Sequence, residues 1–444
     1  MSNRKAILLS LFVLILLASS YIVTAFQSTP QDLPNPKNID GASLVSIPPV
    51  KVAITTFRER IKANPNDAVS YTLLGEQYIR QARETGDMSN YHRAEQMLNQ
   101  SLEMLPNYAP AKTALASIYY AQHDFNRSLD LAEQVYESNY KNLQARIIVA
   151  DSYLSLGQYE QAEVIYEEIS DANLTPPILA RFANLAELKG DSDQALLLIR
   201  RAAGQTLQSG GTKENAAWYL LRVGDIYFNQ GEIKLAGEFY QASLRLFNDY
   251  YLAYAGLGKV HAAQGSYKEA IADYQKAVNI VPQPEFLAAL GDLYWVTGQP
   301  DQAKIQYDTV EYIGKLAQLN QQIYNRQLAN FYSDHNLKLE EALQLALSEL
   351  ELRKDVYGYD AAAWAYYKNG KFNEAQEMMD SALALGTQDA RLFYHAGMIA
   401  HALHHDEQAL QYLKLALEIN PHFSIMHARE AQQTLLSLYQ TSMK

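Results

Sequence analysis

The side chains best suited to chemistry gather near the C-terminus. There "HAGMIAHALHHDEQAL" (395–410) holds four of the ten histidines, His395, His401, His404 and His405, with Asp406 beside them. Imidazoles and a carboxylate are ligands for zinc or copper when three or four of them converge on one point. Helical spacing works against convergence. Six residues at about 100° each carry His395 and His401 to different sides of one helix, and His404 and His405 fall in the turn behind it. No metal site is expected, and His401, His404, His405 and Asp406 remain only as residual candidates. The chain has no cysteine, which excludes disulfides, thiolate metal sites and thiol nucleophiles. No phosphate-cradling glycine loop, HExxH pattern, GxSxG pattern or compact acid–base constellation occurs. Neither a cofactor nor a catalytic residue is expected.

The elements that carry these residues follow from length and patterning. At 444 residues the chain exceeds one compact core, so it forms several domains or an extended array. Forty-nine acidic against 37 basic side chains give a formal charge of -12, which opposes binding to nucleic acid. At the N-terminus, Arg4 and Lys5 precede a run from Ala6 to Phe26 without a charge. A helix needs about 20 apolar residues to cross the hydrocarbon core, and the basic flank keeps its start in the cytoplasm. Val23-Thr24-Ala25 also fits a signal-peptidase site, so residues 1–26 are read as a signal anchor or a cleaved signal peptide. Both readings place the remainder on the extracytoplasmic side, as a single-pass protein if uncleaved. Residues 27–49 hold five of the fourteen prolines and read as an exposed, semi-rigid linker.

From residue 50 onward apolar and small residues return at three- and four-residue intervals, with Gly or Pro between segments, as amphipathic helices require. A longer period lies over this one. "YLAYAGLGKVHAAQGSYKEAIADYQKAVNIVP" (251–282) aligns with "ARLFYHAGMIAHALHHDEQALQYLKLALEINP" (390–421), pairing Gly258 with Gly397, Ala270 with Ala409, Ala277 with Ala416 and Pro282 with Pro421. Numbered 1 to 34 as in the tetratricopeptide repeat, which this alignment resembles, the units match in part that family's pattern of a small residue at 8, an aromatic at 11, often glycine at 15, alanine at 20, a large apolar residue at 24 and proline at 32. Units begin at Ala68, Ala109, Leu143, Pro176, Ala217, Tyr251, Pro284, Gln322, Val356 and Ala390. Small residues at 8 and 20 let paired helices approach, and glycine at 15 suits a left-handed residue ending the first helix.

This pattern resembles the tetratricopeptide repeat (TPR), a 34-residue helix-turn-helix unit. The resemblance covers residues 66–423 and implies an all-α, right-handed α-solenoid of about ten repeats. An N-terminal capping helix is expected at 50–65 and a C-terminal one at 424–440. Irregular turns are expected near 83–90, 205–216 and 316–342, with hinging most expected near 210 and 316–336. "YDAAAWAYYKNGKFNEA" followed by "DARLFYHAGMIA" is also similar to exported bacterial TPR proteins without an assigned reaction.

In that family, first-helix positions 2, 5, 9, 12 and 13 line a concave groove. Here they include Tyr120, Asp151, Trp218, Asp225, Phe228, Asp292, Trp295, Tyr357, Asp360, Trp364, Tyr367, Tyr394 and His401. All three tryptophans of the chain are among them. Large rings in a groove act as binding anchors because they bury much apolar area at little rotamer cost. The expected function is a non-catalytic scaffold on the outer side of a membrane, holding a partner protein or extended peptide that is apolar or basic. A metal-handling or glycan-binding protein of the envelope is the alternative.

Overall fold

The computed structural model describes residues 33–39, 41, 44, 49–169, 174–209, 211–319 and 325–442. Among these there is no strand, and twenty-two α-helices follow one short turn of 3-10 helix at Pro36–Asn38. The anchor or signal segment expected at 1–26, and residue 210 and residues 320–324 of the expected hinges, lie outside the described residues. Among the described residues no helix is long and apolar enough to cross a membrane.

Helix α1 (Val50–Ala63) leads into helical hairpins. The first four are α2 (Ala68–Thr85) with α3 (Ser89–Met104), α4 (Ala109–Ala121) with α5 (Phe125–Ser138), α6 (Leu143–Ser155) with α7 (Tyr159–Glu167), and α8 (Pro176–Leu188) with α9 (Ser192–Ser209). Next come α10 (Lys213–Asn229) with α11 (Ile233–Leu246), α12 (Tyr251–Ala263) with α13 (Tyr267–Ile280), and α14 (Pro284–Val296) with α15 (Pro300–Leu319). The array ends with α16 (Asn325–Asp334) and α17 (Leu339–Leu352), α18 (Val356–Lys368) and α19 (Phe372–Leu383), α20 (Ala390–Ala402) and α21 (Asp406–Ile419), closed by α22 (His427–Ser442).

Local chemistry starts and stops these helices. Asp67, Asp124, Asn142, Thr212, Asp355 and Asp389 each accept a backbone N–H of the first turn they cap, satisfying a donor the helix cannot. First helices end on a left-handed residue. At Gly157 (φ 78°), Gly157 N–H donates to Leu154 O at 3.2 Å and Gln158 N–H to Tyr153 O at 2.9 Å, a Schellman closure. His123, Asn336 and His404 hold the equivalent slot at φ 63°, 53° and 61°. The turn of the eighth hairpin, one residue longer than those of its neighbours, takes up the extra residue with a second left-handed position, Lys338 (φ 42°).

Within a hairpin the small residue at position 8 lies under the large one at position 24. A Cβ added to Gly224 would sit 2.7 Å from the Tyr240 ring, and one on Gly291 2.3 Å from the Tyr307 ring. The rings at position 24 therefore pack over their own hairpin's glycine. Tyr240 is fully buried, and burial of such a ring contributes on the order of 2 kcal/mol.

The array winds back upon itself. Lys354 N–H donates to Leu156 O at 3.3 Å, Val356 N–H to Tyr159 Oη at 2.9 Å, the Thr387 hydroxyl to Leu188 O, and Asn420 Nδ2 to Phe228 O at 2.8 Å. Three of these pairs are separated by 197, 199 and 192 positions. Those separations correspond to roughly six 34-residue units, so successive turns of the solenoid touch along a seam. At that seam a Cβ on Gly157 would lie 2.1 Å from Lys354 O, whereas one on Gly265 meets nothing within 4 Å.

Part of the expected linker is not exposed. Leu33 and Ile39 are 6% and 4% accessible and join the core formed by α8 to α12. Arg245 donates to Pro36 O, and Lys37 Nζ lies 3.1 Å from Glu238 Oε1. Gly41 approaches so closely that a Cβ would sit 2.7 Å from Leu246 Cδ2. Residues 33–39 and Gly41 thus lie as a docked strap against α11 and its neighbours, with two apolar side chains of a proline-rich stretch in the core.

Candidate interaction surface

The aspartates expected to face a ligand are occupied by the fold. Tyr166 Oη donates to Asp151 Oδ1 at 2.5 Å, Tyr240 Oη to Asp225 Oδ1 at 2.9 Å, and Tyr307 Oη to Asp292 Oδ1 at 2.8 Å. In each hairpin the core ring at position 24 reaches the carboxylate at position 9, fifteen residues before it. A cation completes each pair. Arg181 Nε binds both oxygens of Asp151 at 2.8 and 2.7 Å, and Arg222 joins Asp225 (3.0 Å) to Glu187 (2.8 Å). His335 Nε2 meets Asp292 at 2.7 Å while its Nδ1 faces Phe331 O at 2.7 Å. A carbonyl and a carboxylate both require a donor, so His335 is an imidazolium. Burial opposes its charge, but the bond to Asp292 and its charge, with the Phe331 carbonyl and the Asp334 charge, together outweigh it and raise its pKa.

The aromatic residues divide in the same way. Trp364 is 0% accessible, which corrects its expected role as an open anchor. Its indole N–H donates to Asp334 Oδ1 at 2.9 Å, and its ring stacks on His395 at 4.1 Å and Tyr367 at 4.7 Å. Tyr394 is also fully buried, donating to Glu430 of α22 at 2.7 Å and stacking on His427. The closing helix therefore fills the space that register alone leaves open. Asp360 is buried against His395 Nδ1 at 2.7 Å. Burial would raise the Asp334 carboxyl, but Arg391 at 2.8 Å and nearby histidines hold it below the usual range.

Tyr120 bonds Ser155 at 3.0 Å, and burial pushes its hydroxyl up to about 12. Phe228 is buried, and Trp218 is half-buried, edge-on to Tyr219 at 5.1 Å. Two rings stay open. Trp295 is 55% and Tyr357 40% accessible. Tyr357 borders a cleft of about 190 Å³ with Glu187, Thr387, Gln388 and Asp389, set where the two turns meet. Burial raises the carboxyls of both Glu187 and Asp389; Arg222 partly offsets it at Glu187.

The C-terminal histidines do not converge. His401 Nδ1 lies 3.5 Å from Asp406 Oδ1, while His404 and His405 occupy the turn and the following cap. Among the described residues no group of three or more His, Asp or Glu side chains is arranged to hold a metal ion. Of the residues that organise the interior, Arg181, Arg222 and the position-24 tyrosines lie outside the expected groove positions, whereas Arg391 stands at position 2 of its unit and faces Asp334. Recurrence of Asp at position 9 with Tyr at 24 was their available signal.

Family models match four stretches: "Anaphase-promoting complex, cyclosome, subunit 3" over residues 87–169, and "Tetratricopeptide repeat" over 215–283, 284–304 and 361–422. TPR repeat-containing protein YpiA of Bacillus subtilis is 22% identical over 62% of this chain and 63% of its own. Formate-dependent nitrite reductase complex subunit NrfG of Escherichia coli O157:H7 is 25% identical over 34% of this chain and 70% of its own. Protein CTR9 homolog of Arabidopsis thaliana is 30% identical, the match covering 25% of this chain and 10% of that one. The chain thus spans less than two thirds of the first curated relatives it matches. Among solved structures, the human IFIT1 dimer with PPP-AAAA superposes with a TM-score of 0.48 at 18% identity, over 76% of this chain and 78% of that one. With paired helices packed small residue over ring, and tetratricopeptide repeat models matching residues 215–304 and 361–422, the chain is a tetratricopeptide repeat protein.

Proposed function

We propose that this chain is a non-catalytic scaffold on the extracytoplasmic side of a membrane, holding a partner protein or extended peptide against its concave surface. TPR arrays of this fold serve as protein-interaction scaffolds. The observation that supports the finer reading is the exposure of Trp295 and Tyr357, at positions that the repeat resemblance assigns to the concave face. A rigid ring left in water is an anchor whose burial against a partner gains apolar contact at small entropic cost. Beside Tyr357, the partly uncompensated Glu187 and Asp389 favour a basic or polar group of that partner. Residues 6–26 supply delivery or anchoring.

The test is chemical crosslinking and purification of the intact chain from its native membrane fraction, beside the Trp295→Ala/Tyr357→Ala variant. Loss of a crosslinked partner with helix content unchanged supports the reading. An identical set of crosslinked proteins in both samples removes it.

A further inference from the structure

The docked strap changes how far the array can stand from residue 26. As a free spacer, residues 27–49 would reach about 75 Å when fully extended. With residues 33–39 and Gly41 docked, six residues separate position 26 from Leu33, a span of at most about 20 Å. Four separate contacts hold the strap: Leu33 and Ile39 in the core, the Arg245 bond to Pro36 O, the Lys37–Glu238 ion pair, and Gly41 against Leu246. The last three lie on α11, in the middle of the array, and the first is in the core that α11 shares with its neighbours.

We infer that the solenoid is tethered to the membrane by its flank, with the α11 face of the fifth hairpin turned toward the lipid headgroups. This rests on the reading of residues 6–26 as an uncleaved anchor. The chain leaves the bilayer within about 20 Å of Leu33, so α11 cannot stand off farther than that span plus the strap's own width. The turn of roughly six hairpins places α17, three hairpins on, about half a turn away. The α17 side consequently faces the compartment, and the α11 side is shielded from large partners.

The absence of cysteine allows single labels on the full chain: Gln241→Cys on α11, between Glu238 and Arg245 and exposed, and Glu340→Cys on α17, also exposed. The labelled chains are reconstituted in phosphatidylethanolamine–phosphatidylglycerol vesicles carrying a headgroup quencher. Fluorescence at position 241 should be quenched several-fold more than at 340. A flexible Gly-Ser insertion of about twelve residues between Asp32 and Leu33 leaves the strap intact and should abolish the difference. Ile39→Ser, which loosens the strap, should do the same with helix content unchanged. Equal quenching in the unaltered chain, or a difference that survives the insertion, overturns the strap inference. Failure of the chain to sediment with the vesicles overturns the anchor reading instead.

Discussion

Asn420 donates its side-chain amide to the carbonyl of Phe228 at 2.8 Å while its own Oδ1 accepts His422 N–H, also at 2.8 Å. One buried residue thereby shapes the end of the tenth hairpin and fastens it to the fifth. Asn420→Ala removes both bonds and is expected to cost about 1–3 kcal/mol. Asn420→Asp keeps the acceptor but sets a carboxylate against the Phe228 carbonyl, so it should be at least as damaging. Urea unfolding of the two variants checks the order; a neutral Asn420→Ala would mean that the turns do not meet in solution.

A second prediction separates turn geometry from turn contact. Gly157→Ala and Gly265→Ala both place a side chain at left-handed φ, which costs about 1–2 kcal/mol. Only at Gly157 does the new methyl run into backbone, Lys354 O at 2.1 Å. Gly157→Ala should therefore lose clearly more stability than Gly265→Ala in the same denaturant series. Equal losses would count against the seam.

Two histidines make stability depend on pH with opposite sign. Burial, with Arg353 and Arg326 nearby, lowers His123 from its ordinary 6.5 to about 4. Across that window the unfolded chain binds a proton the folded one refuses, so stability falls as pH drops from about 6.5 to 4. His335 is raised by Asp292, so its contribution is complete below the ordinary value and is lost as pH climbs through the raised one. His123→Asn, which tolerates left-handed φ, should flatten the acid limb, and His335→Gln the neutral-to-alkaline limb. Calorimetric melting across pH 4 to 9 reads both; unchanged limbs would contradict the assignments.

The helical hairpins were legible because their cause is local and periodic. Gly224 beneath Tyr240 and Gly291 beneath Tyr307 repeat one steric solution, and the turn slot is recognisable even when filled by His404. Register also identifies the first-helix face on which Trp364 and Trp295 lie. It does not say what covers that face. Trp364 is enclosed by Asp334, His395 and Tyr367, with the closing helix lying beyond, while Trp295 stays open, a difference set by neighbours two to four helices away. The seam left no mark in the pattern, because Leu156, Leu188 and Phe228 take part through backbone carbonyls that any residue has. Proline content spoke for an exposed linker, and the docking of Leu33 and Ile39 outweighed it.

Contact between turns also alters how the chain acquires its structure. A repeat array with only neighbouring contacts can begin folding anywhere and lose its units one at a time. Here Gly157 and Gly190 find their partners only after nearly two hundred further residues have joined the chain. Closing loops of that size raises the contact order and slows the last step of folding. During synthesis the third to fifth hairpins must wait with uncovered turns, and once the second turn seats, the array melts as one body.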